Sequence, residues 1–139
     1  REIAEYFASV DLPHPPPQAP AATPAMLARG ETLVRHGDAD RRLPSCAACH
    51  GHALTGVEPA VPGLLGLPRD YLAGQFGAWK TGLRHAQAPD CMAEIAERMR
   101  PDDVASVVNW LASQPVPADS RPAANAPEPP PMRCGGIAQ

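Results

Sequence analysis

Five consecutive residues, Cys46-Ala47-Ala48-Cys49-His50, constrain this 139-residue chain more than any other stretch of it. A C-x-x-C-H run has the spacing of a c-type haem attachment site. Two thiols separated by two residues can be presented along one porphyrin edge by a single tight turn, each adding to a vinyl group to form a thioether. The histidine that follows directly is carried beneath the ring toward the iron. Small Ala47 and Ala48 keep that turn clear of the macrocycle. Three rivals explain less. A thioredoxin-like C-x-x-C wants a βαβ context that the sequence lacks, and a zinc site wants a second Cys/His pair at matching spacing. Two structural cysteines with a chance histidine would leave the spacing without a cause.

Composition points the same way. The length suits one ordinary domain, yet aromatic residues make up only 4% of it, thin for a self-sufficient core. A buried porphyrin would supply the missing flat apolar surface, and burial contributes about 25 cal/mol per Å². Nineteen prolines and eleven glycines predict short helices joined by long loops. A net charge of −3, with Lys80 the sole lysine, argues against nucleic acid as a partner. No apolar run is long enough to cross a bilayer. The opening residues carry no signal-peptide pattern, so a chain starting at Arg1 reads as a mature or truncated product.

Two cysteines remain, Cys91 and Cys134. An even remainder in an oxidising compartment favours a disulfide over two free thiols, and that bond would tie the tail beside the distal side of the haem.

Along the chain, residues 1–13 echo a later stretch. Ile3-Ala4-Glu5-Tyr6-Phe7-Ala8-Ser9 aligns with Val107-Val108-Asn109-Trp110-Leu111-Ala112-Ser113, and Pro13 then faces Pro117. This internal repeat suggests that 1–13 holds the closing helix of an upstream haem domain; accidental similarity of a short amphipathic helix is the alternative. Residues 14–23 read as a proline-stiffened linker. Residues 24–114 form the haem domain. Thr23-Pro24 starts a helix running to His36, with Met26, Leu27, Leu33 and Val34 as its apolar stripe. Gly30 inside it implies close approach by another helix or by the haem. His52 falls in a solvent-facing loop. A proline carbonyl near the proximal face, assigned to Pro62, would accept the Nδ1 proton of His50 and strengthen its bond to iron.

A second helix, Pro68 to Thr81, carries Tyr71, Leu72, Phe76 and Trp79, while Gly74 and Gly77 leave a smooth patch for a neighbouring helix or the ring. Tyr71 and Trp79 could each donate to a haem propionate, though ordinary core packing is weighed above that for both. Arg84 either pairs with a propionate or stays solvated. The sixth iron ligand falls to Met92, where a loop enters a helix, ahead of His85 and the distant Met26; Met99 suits core packing instead. Arg100-Pro101-Asp102-Asp103 opens the last helix. Residues 115–139 are a Pro/Ala-rich tail, disordered unless Cys134 tethers it.

Together, Cys46 to His50, Pro62-x-Leu64-x-Gly66, Gly82-x-Arg84, Met92-x-x-Ile95-Ala96 and the helix from Asp102 to Ser113 resemble a class I c-type cytochrome. Gly30 to Ser113 is most similar to one domain of the periplasmic dihaem cytochromes c. The resemblance implies an all-α fold: a small helical bundle wrapped round one covalently bound haem c, with His50 proximal and Met92 distal. Two departures stand out, in the loop His52 to Gly56 and at Cys91 beside the distal methionine. With both axial positions filled, the expected function is one-electron transfer rather than enzymatic turnover. The expected setting is the periplasm or the outer face of the cytoplasmic membrane. There the chain would act as a carrier or as the cytochrome subunit of a respiratory or dehydrogenase complex, meeting a redox donor and acceptor briefly. Two alternatives rank behind it: a haem enzyme or gas sensor whose distal ligand leaves, and a partner-binding module built on the Pro-rich tail.

Overall fold

Capping chemistry sets where the helices begin. The computed structural model describes residues 2–10, 13–126 and 129–137; Arg1, Asp11 and Leu12 of the N-terminal segment and Pro127, Glu128, Ala138 and Gln139 of the tail lie outside them. Among the described residues six α-helices follow in order: α1 Glu2–Ser9, α2 Pro24–Arg35, α3 Cys46–His50, α4 Arg69–Lys80, α5 Cys91–Arg98 and α6 Pro101–Ala112. Thr23 caps α2 by accepting the Met26 N–H, with Pro24 at the first helical position. Pro101 opens α6 in the same way, and the Asp103 carboxylate reaches back to the Arg100 N–H at 3.4 Å. The fold is all-α apart from a short antiparallel pair that the sequence reading did not anticipate, β1 Gly56–Val57 with β2 Val61–Pro62. Two-residue strands carry too little periodicity to be read from sequence.

The core lies between α2 and α6, with Leu33, Val34, Val107 and Leu111 almost fully buried. Gly30 is where these helices touch: a Cβ there would lie 2.3 Å from the Ser106 carbonyl oxygen. The close approach expected of Gly30 is thus to another helix. Met99 is 3% exposed within this core, as its spacing predicted. Gly74 and Gly77 meet no protein atom within 4 Å of an added Cβ, so no neighbouring helix uses that side of α4.

An ionic clasp closes one end of the bundle. Arg29 donates to Asp38 (2.7 Å) and Asp103 (3.2 Å), and Arg41 donates to Asp103 (2.6 Å) and Asp38 (3.0 Å). Arg41 Nη2 also sits 3.0 Å from Asp38 as a charge contact without hydrogen-bond geometry. Arg29, then Arg41, hold the Asp38 carboxyl down at about 2. Burial pushes Asp103 up, but the two guanidiniums outweigh it and its pKa is also lowered.

The linker and tail are both fastened down. Gln18 N–H donates to the Ala112 carbonyl (2.8 Å), and Ala21 N–H donates to Asn109 (3.0 Å). Arg69 donates to both Asn109 (3.1 Å) and the Ala19 carbonyl (3.1 Å). The tail pairs with β1 through Ala123, which exchanges backbone hydrogen bonds with Gly56 and Glu58. Its second anchor is the Cys91–Cys134 disulfide. The Cys134 tether expected from cysteine parity is present, while the Ala123 anchor is made of backbone groups that composition does not reveal.

Helix α1 behaves differently from the stretch it echoes. Ile3, Tyr6 and Phe7 are 75%, 64% and 69% exposed, whereas their counterparts Val107, Trp110 and Leu111 are 0%, 6% and 2% exposed.

Gly30→Ala is expected to destabilise the protein by about 1–3 kcal/mol, because a backbone carbonyl cannot yield as a flexible side chain would. Thermal unfolding should then shift down by roughly 4–8 °C per kcal/mol. For the clasp, the folded carboxyl pKa values lie below the ordinary 3.8. Its stabilisation is therefore present above about pH 4 and lost as pH falls through about 2. Acid titration by circular dichroism should show a steeper loss in this window for the wild type than for an Asp38→Asn/Asp103→Asn variant.

Candidate haem site

Ser45 begins the site by capping α3, its hydroxyl accepting the Ala48 N–H at 3.2 Å. That single turn carries Cys46, Cys49 and His50 and ends at Gly51, whose φ of +83° lets the chain reverse into the loop before β1. His52 is exposed, as expected for that loop. The β1–β2 hairpin then returns the chain so that the Pro62 carbonyl lies 2.7 Å from His50 Nδ1. A carbonyl can only accept, so Nδ1 carries the proton and Nε2 keeps its lone pair. Burial lowers the His50 pKa and the bond to Pro62 partly opposes it, leaving a neutral imidazole suited to a metal.

Cys46, Cys49, His50 and Pro62 face a cavity of about 440 Å³. That volume falls within the range of about 300–1,000 Å³ typical of cofactor pockets. Leu64, Leu67, Leu72, Phe76, Val107 and Leu111 give it mostly apolar walls. Neither Cys46 nor Cys49 is in a disulfide, so both sulfurs are available for attachment to a cofactor. Among the described residues no cluster of three His, Cys, Asp or Glu forms, so the second ligand pair a zinc site needs does not assemble around the motif.

The other residues singled out from sequence line the same cavity: Tyr71, Trp79, Arg84 and Met92. Tyr71 is half exposed at its rim. Trp79 is engaged elsewhere than in the role considered for it. Its indole N–H donates to the Asp90 carboxylate at 3.2 Å, and the Arg84 guanidinium lies 4.1 Å above its ring. Arg84 also donates to Gln75. His85, weighed as an alternative ligand, lines the cavity too; Met26 does not.

Sequence reasoning missed Met132 and the end of the tail, which complete the wall through Met132, Gly136 and Ile137. A signal existed. Once Cys134 pairs with Cys91, the residue two before it is brought to the cavity that Met92 also lines.

The donor set fits a haem: two unpaired cysteine sulfurs on one turn, a neutral imidazole anchored through Nδ1, and a thioether lining the same mostly apolar cavity. The class this arrangement suits is a small helical protein folded round one covalently attached porphyrin. No protein-family model matches the chain. It is 35% identical over 114 residues to the thiosulfate dehydrogenase electron acceptor of Thiomonas intermedia (strain K12), covering 82% of this chain and 52% of that protein. Identity to cytochrome c4 of Azotobacter vinelandii is 30% over 112 residues, 79% of this chain and 51% of the relative. Cytochrome c-554(548) of Halomonas halodenitrificans is 30% identical over 81 residues, 56% of this chain and 98% of its own length. Among solved structures, thiosulfate dehydrogenase (TsdBA) from Marichromatium purpuratum superposes with a TM-score of 0.72 at 33% identity, over 86% of this chain and 25% of that one. Reduced recombinant cytochrome c4 from Pseudomonas stutzeri gives 0.62 at 28% identity, over 80% and 57%.

The chain belongs to the class I c-type cytochromes and is similar to one domain of the dihaem cytochrome c family. Its cofactor is a covalently bound haem c. The chain spans about half the length of the curated relatives that match most of it.

Proposed function

We propose that this chain passes single electrons through one haem c bonded to Cys46 and Cys49, with His50 and Met92 as its axial ligands. The observation that carries this reading is the neutral His50, tied through Nδ1 to Pro62 and facing the same cavity as both thiols and Met92. When bound, the haem supplies a reversible ferrous/ferric couple. The chain's own residues do the rest. Pro62 fixes the imidazole plane and its basicity. A methionine opposite histidine raises the potential relative to a more strongly donating ligand. Apolar walls exclude water and lower the local dielectric. Tyr71 and Arg84, at the rim and near Trp79, are the candidates for contact with the propionates, with Trp79 positioning Arg84.

The proposed setting is the periplasm or the outer face of the cytoplasmic membrane. Among the described residues no helix is long and apolar enough to cross a membrane. Relatives named as electron acceptors of thiosulfate dehydrogenase, and the TsdBA structure, support a donor of that kind: an oxidoreductase acting on a small sulfur oxyanion, in a brief or permanent complex. The domain layout proposed is 1–13 as the closing helix of an upstream haem domain, 14–23 as linker, 24–114 as this haem domain and 115–139 as its tail. The bare face of α1 supports it, since Ile3, Tyr6 and Phe7 occupy positions that are buried in α6.

Acid–acetone extraction should leave the pigment on the polypeptide, and Met92→Ala should abolish the sulfur–iron charge-transfer band and lower the potential while Met132→Ala keeps both. Pigment in the organic layer would overturn covalent attachment; loss of the band in Met132→Ala but not in Met92→Ala would overturn the ligand assignment. Mass spectrometry of the natural full-length protein should show two haem additions. A single addition would remove the upstream haem domain.

A further inference from the structure

The Cys91–Met92 turn enters the cavity from a loop that composition alone would leave loose, residues 85–90 with two alanines and a proline. One side chain organises it. Asp90 caps α5, one oxygen accepting the Ala93 N–H at 3.0 Å, while the other accepts the Ala86 N–H at 2.6 Å. The Trp79 indole N–H, from α4, approaches both oxygens at 3.2 Å. Three donors from three separate segments thus converge on one half-buried carboxylate, two residues before Met92. Trp79 is itself pinned, by the Arg84 guanidinium above its ring and the Gln75 contact beyond.

On its outer side the same loop is held by the tail. Gly135 N–H donates to the Pro89 carbonyl at 3.0 Å, and a Cβ on Gly135 would fall 2.1 Å from the Ala88 carbonyl oxygen. Cys134, one residue earlier, is bonded to Cys91. The turn is therefore gripped from inside by Asp90 and from outside by the tail.

We propose that Asp90 is a positioning residue for electron transfer: its carboxylate joins α4, the 85–90 loop and α5, and so holds the Met92 thioether in the cavity. This rests on Met92 being the distal ligand. The requirement is for a carboxylate, because all three partners are donors and an ionised Asp offers acceptors alone. An asparagine would keep the helix cap, a position where it ranks with aspartate. Its amide N–H₂ would then confront one of the remaining N–H groups. An alanine would release all three. Holding the thioether in one place in both oxidation states keeps geometry change on electron exchange small, which is how a residue that never touches the iron can serve the reaction.

The test uses the haem-loaded protein as expressed, with Asp90→Ala, Asp90→Asn, Trp79→Phe and Met92→Ala compared. Two quantities are read: the sulfur–iron band of the oxidised protein and its affinity for added imidazole, which binds when the thioether leaves. Asp90→Ala should weaken the band and raise imidazole affinity by about tenfold, the size expected for losing a cap and further hydrogen bonds. Asp90→Asn and Trp79→Phe should each give a smaller rise, and Trp79→Phe should add nothing once residue 90 is alanine. If Asp90→Ala does not fold, the Asn and Phe variants carry the same comparison. Wild-type band and imidazole affinity in these variants, alongside loss of the band in Met92→Ala, would overturn the role of Asp90 alone. An unchanged band in Met92→Ala would instead remove the distal-ligand reading on which it rests.

Discussion

The bond from His50 Nδ1 to the Pro62 carbonyl is the constraint on which the site depends, because it couples the attachment turn to a hairpin twelve residues on. Without that acceptor, a buried imidazole would be free to present either nitrogen to the cavity. With it, the tautomer is decided and Nε2 is directed as the available donor. The β1–β2 pair earns its place through this contact: two residues per strand contribute little stability, but their register returns the Pro62 backbone to the foot of α3. A neutral ring in an apolar wall is what an iron ligand requires; burial keeps it neutral, against the partial opposition of the Pro62 bond that fixes its tautomer.

Around this point the protein reads as two nested layers. The inner layer is the α2–α6 contact through Gly30 and Ser106, clasped by Arg29, Asp38, Arg41 and Asp103. It has a full core of its own. The outer layer comprises α4, the start of α5 and the end of the tail, which line the cavity together with Val107 and Leu111 of α6. Low aromatic content makes sense in that light, since the haem stands where bulky side chains would otherwise be needed. Burial of that flat surface, at about 25 cal/mol per Å², adds to what the side chains bury.

The Pro-rich segments turned out to be less independent than their composition suggests. Residues 14–23 lie against α6 and α4 through Gln18, Ala19 and Ala21, and the tail joins β1 at Ala123 and α5 at Cys134. Proline disfavours regular elements but leaves carbonyl acceptors in place, so such a strand can be strapped to a surface by donors such as Arg69. Which donors meet it depends on side chains fifty to ninety positions away.

From the sequence alone came the C-x-x-C-H turn, the helical class, the Pro62 acceptor, the cap at Thr23, the helix start at Pro101, a close approach at Gly30 by either a helix or the haem, and the pairing of Cys91 with Cys134. Each of these is local, or follows from a residue type with few tolerable environments: a thiol pair, a buried glycine, a proline at a helix start. Tertiary structure alone decided that Trp79 answers to Asp90, that Arg84 stacks on Trp79, that Met132 shares the cavity with Met92 and that the linker is strapped down. Those outcomes depend on which of several equally capable groups arrive within hydrogen-bonding or stacking reach of one another, and only the packed chain sets that distance.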